Sequence, residues 1–500
     1  MNSNIRRTVT GLLALLTVSA MLAACGEAAE APVSTDAVET GTVETELDIS
    51  QLSEIEQRAY MKHDLPEKDF GAKEFRISTK DGTKYEFYTD AEDGDILNDA
   101  LFARNRTIEE RFNTVITPVI TMDGSGNAQV NEIKTTLLAG DEAYELTASY
   151  VFTSGALVTE GLFQNWLDMP YTQLNKPWWI NGVNENFRIG DAIFMAVGDT
   201  CVSTLKLTYA MFYNRTLGAN YDISFDDIAK MVDNGTWTID NFISMIHELY
   251  TDVNGDSKRD ENDIYGFTAE KATNLDIYSF AFDIPMISKN ADGMPEIVFN
   301  TAKTVDAVEK VNRLYWDGTG SFIPEDAGLP ITVFKNGNAL FCTTWLGQAL
   351  STYRDMDDQY SILPYPKYDE AQERYMTGAM DNYSVLGIPY NVKDTEFVSL
   401  ITEALNIESY KTLFPTYYVE ALQNKYARDE SSIAMLDIIM QGRNFDLATL
   451  FSSQVNGLPW VFRNTVAKKS TDFASAYAKM EKGAIKGLTA VIAAYEENEG

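Results

Sequence analysis

Residues 95–120 read DILNDALFARNRTIEERFNTVITPVI, and the stretch changes period halfway. Leu97, Leu101, Ile108 and Phe112 recur at helical spacing, so the segment from Asp95 to Phe112 reads as a helix with one apolar face. Val115 to Ile120 is β-branched and reads as a strand. On the N-terminal side, Phe75 to Ser78 and Tyr85 to Tyr88 read as strands separated by an Asp81-Gly82 turn. On the C-terminal side, Val130 to Leu138 is helical and Tyr144 to Val151 is strand-like. Parallel strands need a crossover, which a helix supplies, so this order implies an α/β domain with a substantially parallel sheet. The alternation resumes later. Val305, Val308 and Tyr315 mark a helical face, and Ala339 to Thr343 and Tyr360 to Leu363 read as strands. Phe473, Tyr477, Met480, Ala484, Leu488, Val491 and Tyr495 form one apolar stripe on a long final helix.

The N-terminus has another character. Arg6 and Arg7 precede an uncharged apolar run from Gly11 to Met21, too short to cross a hydrocarbon core of roughly 30 Å as a helix. This is the pattern of a signal peptide, residues 1–24. Leu22-Ala23-Ala24-Cys25 resembles the lipobox of bacterial lipoproteins, which implies that Cys25 carries the lipid and becomes the mature N-terminus. Gly26 to Ser50 has no aromatic, Lys or Arg. Such a segment cannot offset its ordering entropy, so residues 25–69 are expected to be a lipid-bearing cysteine followed by a disordered acidic tether.

From about Lys73 onward the chain reads as globular. It is 45% apolar and 12% aromatic, enough for sizeable cores, and too long for a single one. The formal net charge of −34 opposes nucleic-acid binding, which needs a basic surface. With Cys25 lipidated, Cys201 and Cys342 remain, and spacing alone does not decide between a disulfide and two buried thiols.

Signatures of chemistry are sparse. There is no phosphate-binding glycine loop, no dinucleotide fingerprint, no Cys-x-x-Cys and no His-Glu-x-x-His. His63 lies at the edge of the tether and His247 on a helix beside Glu248, and neither has a catalytic context. Paired carboxylates can hydrolyse glycosides without histidine, so a carbohydrate-active enzyme stays as an alternative. The segment from Asp252 to Asp263 places Asp252, Asn254, Asp256, Asp260 and Asp263 at positions 1, 3, 5, 9 and 12 of an EF-hand-like loop, with the Lys258 carbonyl at position 7. Position 6 is Ser257 where glycine is usual, and position 12 is Asp where Glu is usual. The loop reads either as a structural Ca²⁺ site or as a solvated acidic turn.

Tryptophans occur at 166, 178, 179, 237, 316, 345 and 460, beside 26 tyrosines. Sugars stack their C–H faces on such rings, although most aromatics in any protein are core. The chain resembles the family 1 extracellular solute-binding proteins of bacterial ABC importers, the maltose-binding-protein-like group. The resemblance is carried by Asn98-Asp99-Ala100, Arg104-Asn105-Arg106-Thr107, Leu138-Ala139-Gly140-Asp141, Gly235 to Phe242, Phe334 to Phe341 with Trp345, and Leu363-Pro364-Tyr365-Pro366.

It implies a two-lobed periplasmic-binding-protein-like fold of type II, with a ligand cleft between the lobes. Residues 70–200 and 382–425 are expected to form lobe 1, and 201–381 and 426–500 lobe 2. The crossings are expected near Gly198 to Ser203, Met380 to Ser384 and Pro415 to Asp429. By placement it nominates Thr79, Lys80, Asp81, Tyr150, Asp199, Asp381 and Asn382 as ligand-binding, and Trp345 as the stacking aromatic. The implied partners are a saccharide, or another solute such as a peptide, and the permease subunits of an ABC transporter. The resemblance also implies a passive monomeric binder, not an enzyme, that has no organic cofactor and sits outside the cell membrane on its lipid anchor.

Overall fold

The computed structural model describes residues 48–423 and 430–498. The signal peptide, Cys25, most of the tether and the end of the third expected crossing lie outside the described residues. Two main sheets carry the fold, both within one unit, Ile49–Gly500.

The first sheet has the order Ser384–Gly387, Leu146–Tyr150, Lys73–Lys80, Thr114–Thr121. The last three strands are parallel, and Ser384–Gly387 joins antiparallel at the edge. The crossover helices are Ile96–Phe112 and Gly126–Leu138. Asp95 opens the first by accepting from the N–H groups of Leu97 and Asn98, and Ser125 opens the second by accepting from Ala128. Leu101, Ile108 and Phe112 turn inward as the helical spacing requires.

The second sheet is mixed, in the order Tyr360–Leu363, Tyr209–Asn214, Ala339–Trp345, Ile264–Thr268, Tyr250–Thr251, with Ser321–Phe322 also on Ile264–Thr268. Ala339–Trp345 is buried along both faces except at Trp345, as expected of a central strand. The final helix, Phe473–Asn498, buries Phe473, Tyr477, Ala484, Leu488, Val491 and Tyr495, and packs on both Val151–Thr159 and Ala302–Trp316.

One expected strand is not formed. Lys73–Lys80 is hydrogen-bonded on both edges, to Thr114–Thr121 and Leu146–Tyr150, so no edge is left for a hairpin partner. Residues Asp81–Glu86 instead coil into a 3-10 helix, and the turn ends with Glu86 and Phe87 buried. Cys201 and Cys342 are free buried thiols in different apolar clusters. Among the described residues no helix is long and apolar enough to cross a membrane.

Candidate functional site

The chain passes from the first sheet to the second between Ala196 and Tyr209, and returns between Leu363 and Ser384. The two passages lie side by side: Tyr209 N–H donates to the Gly378 carbonyl and Met380 N–H to Leu207. Glu86 fastens them. Its Oε2 accepts from Ser203 N–H at 2.9 Å and Ser203 Oγ at 2.8 Å, and its Oε1 from Ser384 Oγ at 2.6 Å. Ser203 Oγ in turn accepts from Ser384 N–H. Burial pushes the Glu86 carboxyl up to about 7, against the pull of these donors. Arg104, also buried, donates to Thr200 Oγ1 in the first passage, to Ser409 Oγ and to the Phe87 carbonyl. The Arg104-Asn105 pair of the sequence is thus a node joining the first crossover helix to the inter-sheet passages.

Around this knot, strand ends converge with aromatic and charged groups, where α/β folds place ligands. Lys80 ends the first strand with its Nζ 4.1 Å from the Tyr150 ring centroid and donating to the Gly124 carbonyl. Tyr150 stacks on Phe152. From the second sheet, half-buried Trp345 meets Tyr209 edge-on, with centroids 6.3 Å apart, and the Tyr209 hydroxyl bonds Thr273 Oγ1 at 2.7 Å.

A tight cavity of about 20 Å³ lies among Phe152, Thr273, Asp276, Asp381, Ser452 and Trp460, residues drawn from both sheets' loops and the C-terminal region. Asp276 pairs with Arg463 at 2.7 Å through one oxygen, while the other is buried without a partner. Burial raises Asp276 and Asp381 from the ordinary carboxylate range, and the Arg463 charge opposes the rise in both.

A second, larger cavity measures about 500 Å³. Tyr85, Tyr88 and Leu101 wall it from the first sheet's side, with Lys206 from the first passage, Gly347 from the loop after Trp345, and Tyr417. Lys206 Nζ sits 4.0 Å from the Tyr85 ring centroid. A Cβ at Gly347 would lie 2.8 Å from Lys206 Cγ and 3.2 Å from Trp345 Cδ1, so only glycine lets these two side chains approach.

The residues nominated from the sequence divide. Asp381 lines the smaller cavity. Lys80, Tyr150 and Trp345 line neither cavity: Tyr150 stacks on Phe152, a wall of the smaller one, with Lys80 over its ring, and Trp345 meets Tyr209. Asn382 is half-buried, its amide oxygen without a partner. Thr79 is fully buried, with its hydroxyl toward Thr83. Asp81 is exposed and pairs with Lys84 at 2.9 Å. Asp199 lines neither cavity. It is covered by Arg58, 3.6 Å away, whose guanidinium lies over the Tyr410 and Phe414 rings. Burial holds the Asp199 carboxyl up at about 6, against the Arg58 and Arg443 charges. Sequence reasoning passed over Phe152, Lys206, Asp276, Tyr417 and Trp460. Trp460 was one tryptophan among seven, and the others carry no local pattern that separates them from core.

In the acidic loop, Asp252 accepts from the N–H groups of Gly255 and Ser257, Asn254 from Asp256, Asp256 from Lys258, and Asp260 from Asn262. Asp263 turns inward, fully buried, and accepts from Val253 N–H and the Tyr250 hydroxyl. Among the described residues no three His, Cys, Asp or Glu side chains converge as a ready metal cage.

No family profile and no curated protein matches the sequence. Solved structures do match. An ABC substrate-binding protein of Listeria monocytogenes, in complex with cycloalternan, is 14% identical at a TM-score of 0.51, over 85% of this chain and 99% of that one. UgpB of Mycobacterium tuberculosis, in complex with glycerophosphocholine, is 12% identical at 0.52, over 84% and 98%. The chain has the fold of an ABC-transporter solute-binding protein. The maltose/maltodextrin-binding domain MalE of Bdellovibrio bacteriovorus, bound to maltotriose, shows the same likeness: 12% identity and a TM-score of 0.51, over 83% and 99%.

Proposed function

We propose that this chain is the extracytoplasmic solute-binding lipoprotein of an ABC importer, capturing a carbohydrate, an oligosaccharide, between its two sheets and handing it to a membrane permease. The observation that carries this reading is the convergence of Phe152 and Trp460 with Asp276 and Asp381 around one cavity, with Tyr150 stacked on Phe152 behind it. Rings cover the apolar C–H faces of a sugar, and carboxylates accept from its hydroxyls. Binding is passive. A ligand that contacts both lobes favours the closed arrangement and shifts an open–closed equilibrium toward it. The arrangement supports binding without bond cleavage, and Cys25 supplies the membrane anchor. A chain carrying Cys25→Ser is expected in the soluble fraction, the unaltered chain with membranes.

The likeness to UgpB, solved with glycerophosphocholine, favours one second reading, a non-sugar solute in the same cleft. Calorimetry with neutral and charged mono- to tetrasaccharides separates the two. Saturable binding of a saccharide recovered intact supports the first reading, and binding only of non-sugar solutes supports the second.

A further inference from the structure

We infer that the saccharide bound by this chain bears an anionic substituent, a carboxylate or a phosphate, held in the 500 Å³ cavity by Lys206 and Tyr417. The inference rests on the carbohydrate reading above and names the class of sugar.

Three features of the cavity floor point this way. Lys206 reaches it with its ammonium against the Tyr85 ring, and no carboxylate of the described residues lies within ion-pair distance of it. The nearest buried acid, Glu86, is committed through both oxygens to Ser203 and Ser384. Tyr417 lines the same cavity, is only 2% exposed, and has a buried hydroxyl with no hydrogen-bond partner. The carboxylates that line the cavity, Asp90 and Asp95, are exposed at its mouth.

Some buried or half-buried lysines of this chain hold a carboxylate, Lys310 with Asp240 and Lys271 with Glu325, and others, such as Lys80 and Lys303, donate to backbone carbonyls; Lys206 has neither kind of partner among the described residues. An ammonium without a counter-ion is costly to bury, and closure over a neutral sugar would bury one. Closure over an anion satisfies Lys206 and Tyr417 together, with Tyr85 and Tyr88 left to cover the ring that carries the charge. Desolvation already lowers the Lys206 pKa from that of a free lysine, the strain that such a ligand relieves.

The test is calorimetric titration of the chain lacking residues 1–25 with trigalacturonate, glucose 1-phosphate and a panel of neutral oligosaccharides including maltotriose. The expected result is that one of the anionic sugars binds at least about tenfold more tightly than any neutral one. Which of the two does so distinguishes carboxylate from phosphate. Lys206→Met is expected to remove the difference, and Tyr417→Phe, which deletes only the hydroxyl, to reduce it severalfold in a chain that melts as the unaltered one does. A neutral oligosaccharide binding as tightly as the anionic ones overturns this inference and leaves the carbohydrate reading standing. A preference that survives Lys206→Met and Tyr417→Phe overturns the assignment to this cavity. No binding of any saccharide by the folded chain overturns the carbohydrate reading and this inference with it.

Discussion

Glu86 and Ser203 are joined twice, the carboxylate accepting from both the backbone N–H and the hydroxyl of the serine, and the same carboxylate reaches Ser384 on the return passage. One buried acid therefore holds together the two passages that join the first sheet to the second.

That placement has a consequence for stability. The Glu86 pKa is about 7 in the folded chain, above its value of 4.5 in the unfolded one, because burial disfavours the charge. Between those values the folded state binds the extra proton, so stability from this group is full below about pH 4.5 and is lost as pH rises through 7. The span is on the order of 3 kcal/mol. Glu403, buried against Trp178 and Trp179, is raised to about 7 by the same cause and adds in the same direction. Melting temperature is expected to fall between pH 5 and 8. Glu86→Gln, which keeps the shape without the charge, is expected to flatten that fall. An unchanged slope in the variant contradicts the assignment.

The pair of Asp276 and Arg463 ties the cleft wall to the C-terminal region at 2.7 Å with both side chains largely buried. Arg463→Met leaves Asp276 without its cation and is expected to destabilise by about 3 kcal/mol. Asp276→Asn with Arg463→Met is expected to recover part of that loss. Urea denaturation of the two variants measures it.

Trp345 and Trp460 are half-buried rings. Alanine at either is expected to weaken ligand binding at least about tenfold while the melting temperature of the ligand-free chain moves little. A loss of fold with no separate loss of affinity would assign both rings to the core.

Calcium in the loop from Asp252 to Asp263 is proposed as structural. Its side chains already order successive turns, and Ser257, where an EF-hand loop has glycine, is left-handed at φ 61°. Calcium is expected to raise the melting temperature and chelator to lower it, with the difference abolished by Asp252→Ala with Asp256→Ala. Ser257→Gly is expected to add about 1 kcal/mol by relieving the left-handed strain. Equal melting in calcium and chelator would leave the loop a solvated turn.

The sequence made the α/β alternation legible because periods of two and 3.6 are written locally, as in residues 95–120 and in the stripe from Phe473 to Tyr495. The segment from Tyr85 to Tyr88 misled because its composition suits a strand, while the absence of a free edge beside Lys73–Lys80 is a tertiary fact. The same limit governs the site. Lys80, Tyr150 and Trp345 stand at strand ends, which sequence order locates. Trp460, Lys206 and Tyr417 reach the cleft from segments whose placement depends on packing. Asp199 stands where the first passage was expected, but Arg58, far off in sequence, covers it.

The most direct measurement is a thermal-shift screen of the chain lacking residues 1–25 against neutral and acidic saccharides, with each sugar recovered and analysed afterwards. A saccharide at a hundred times its dissociation constant is expected to stabilise the fold by about 2.7 kcal/mol and to be recovered unchanged. A saccharide consumed during incubation, or no shift with any saccharide, would contradict passive carbohydrate capture between the two sheets.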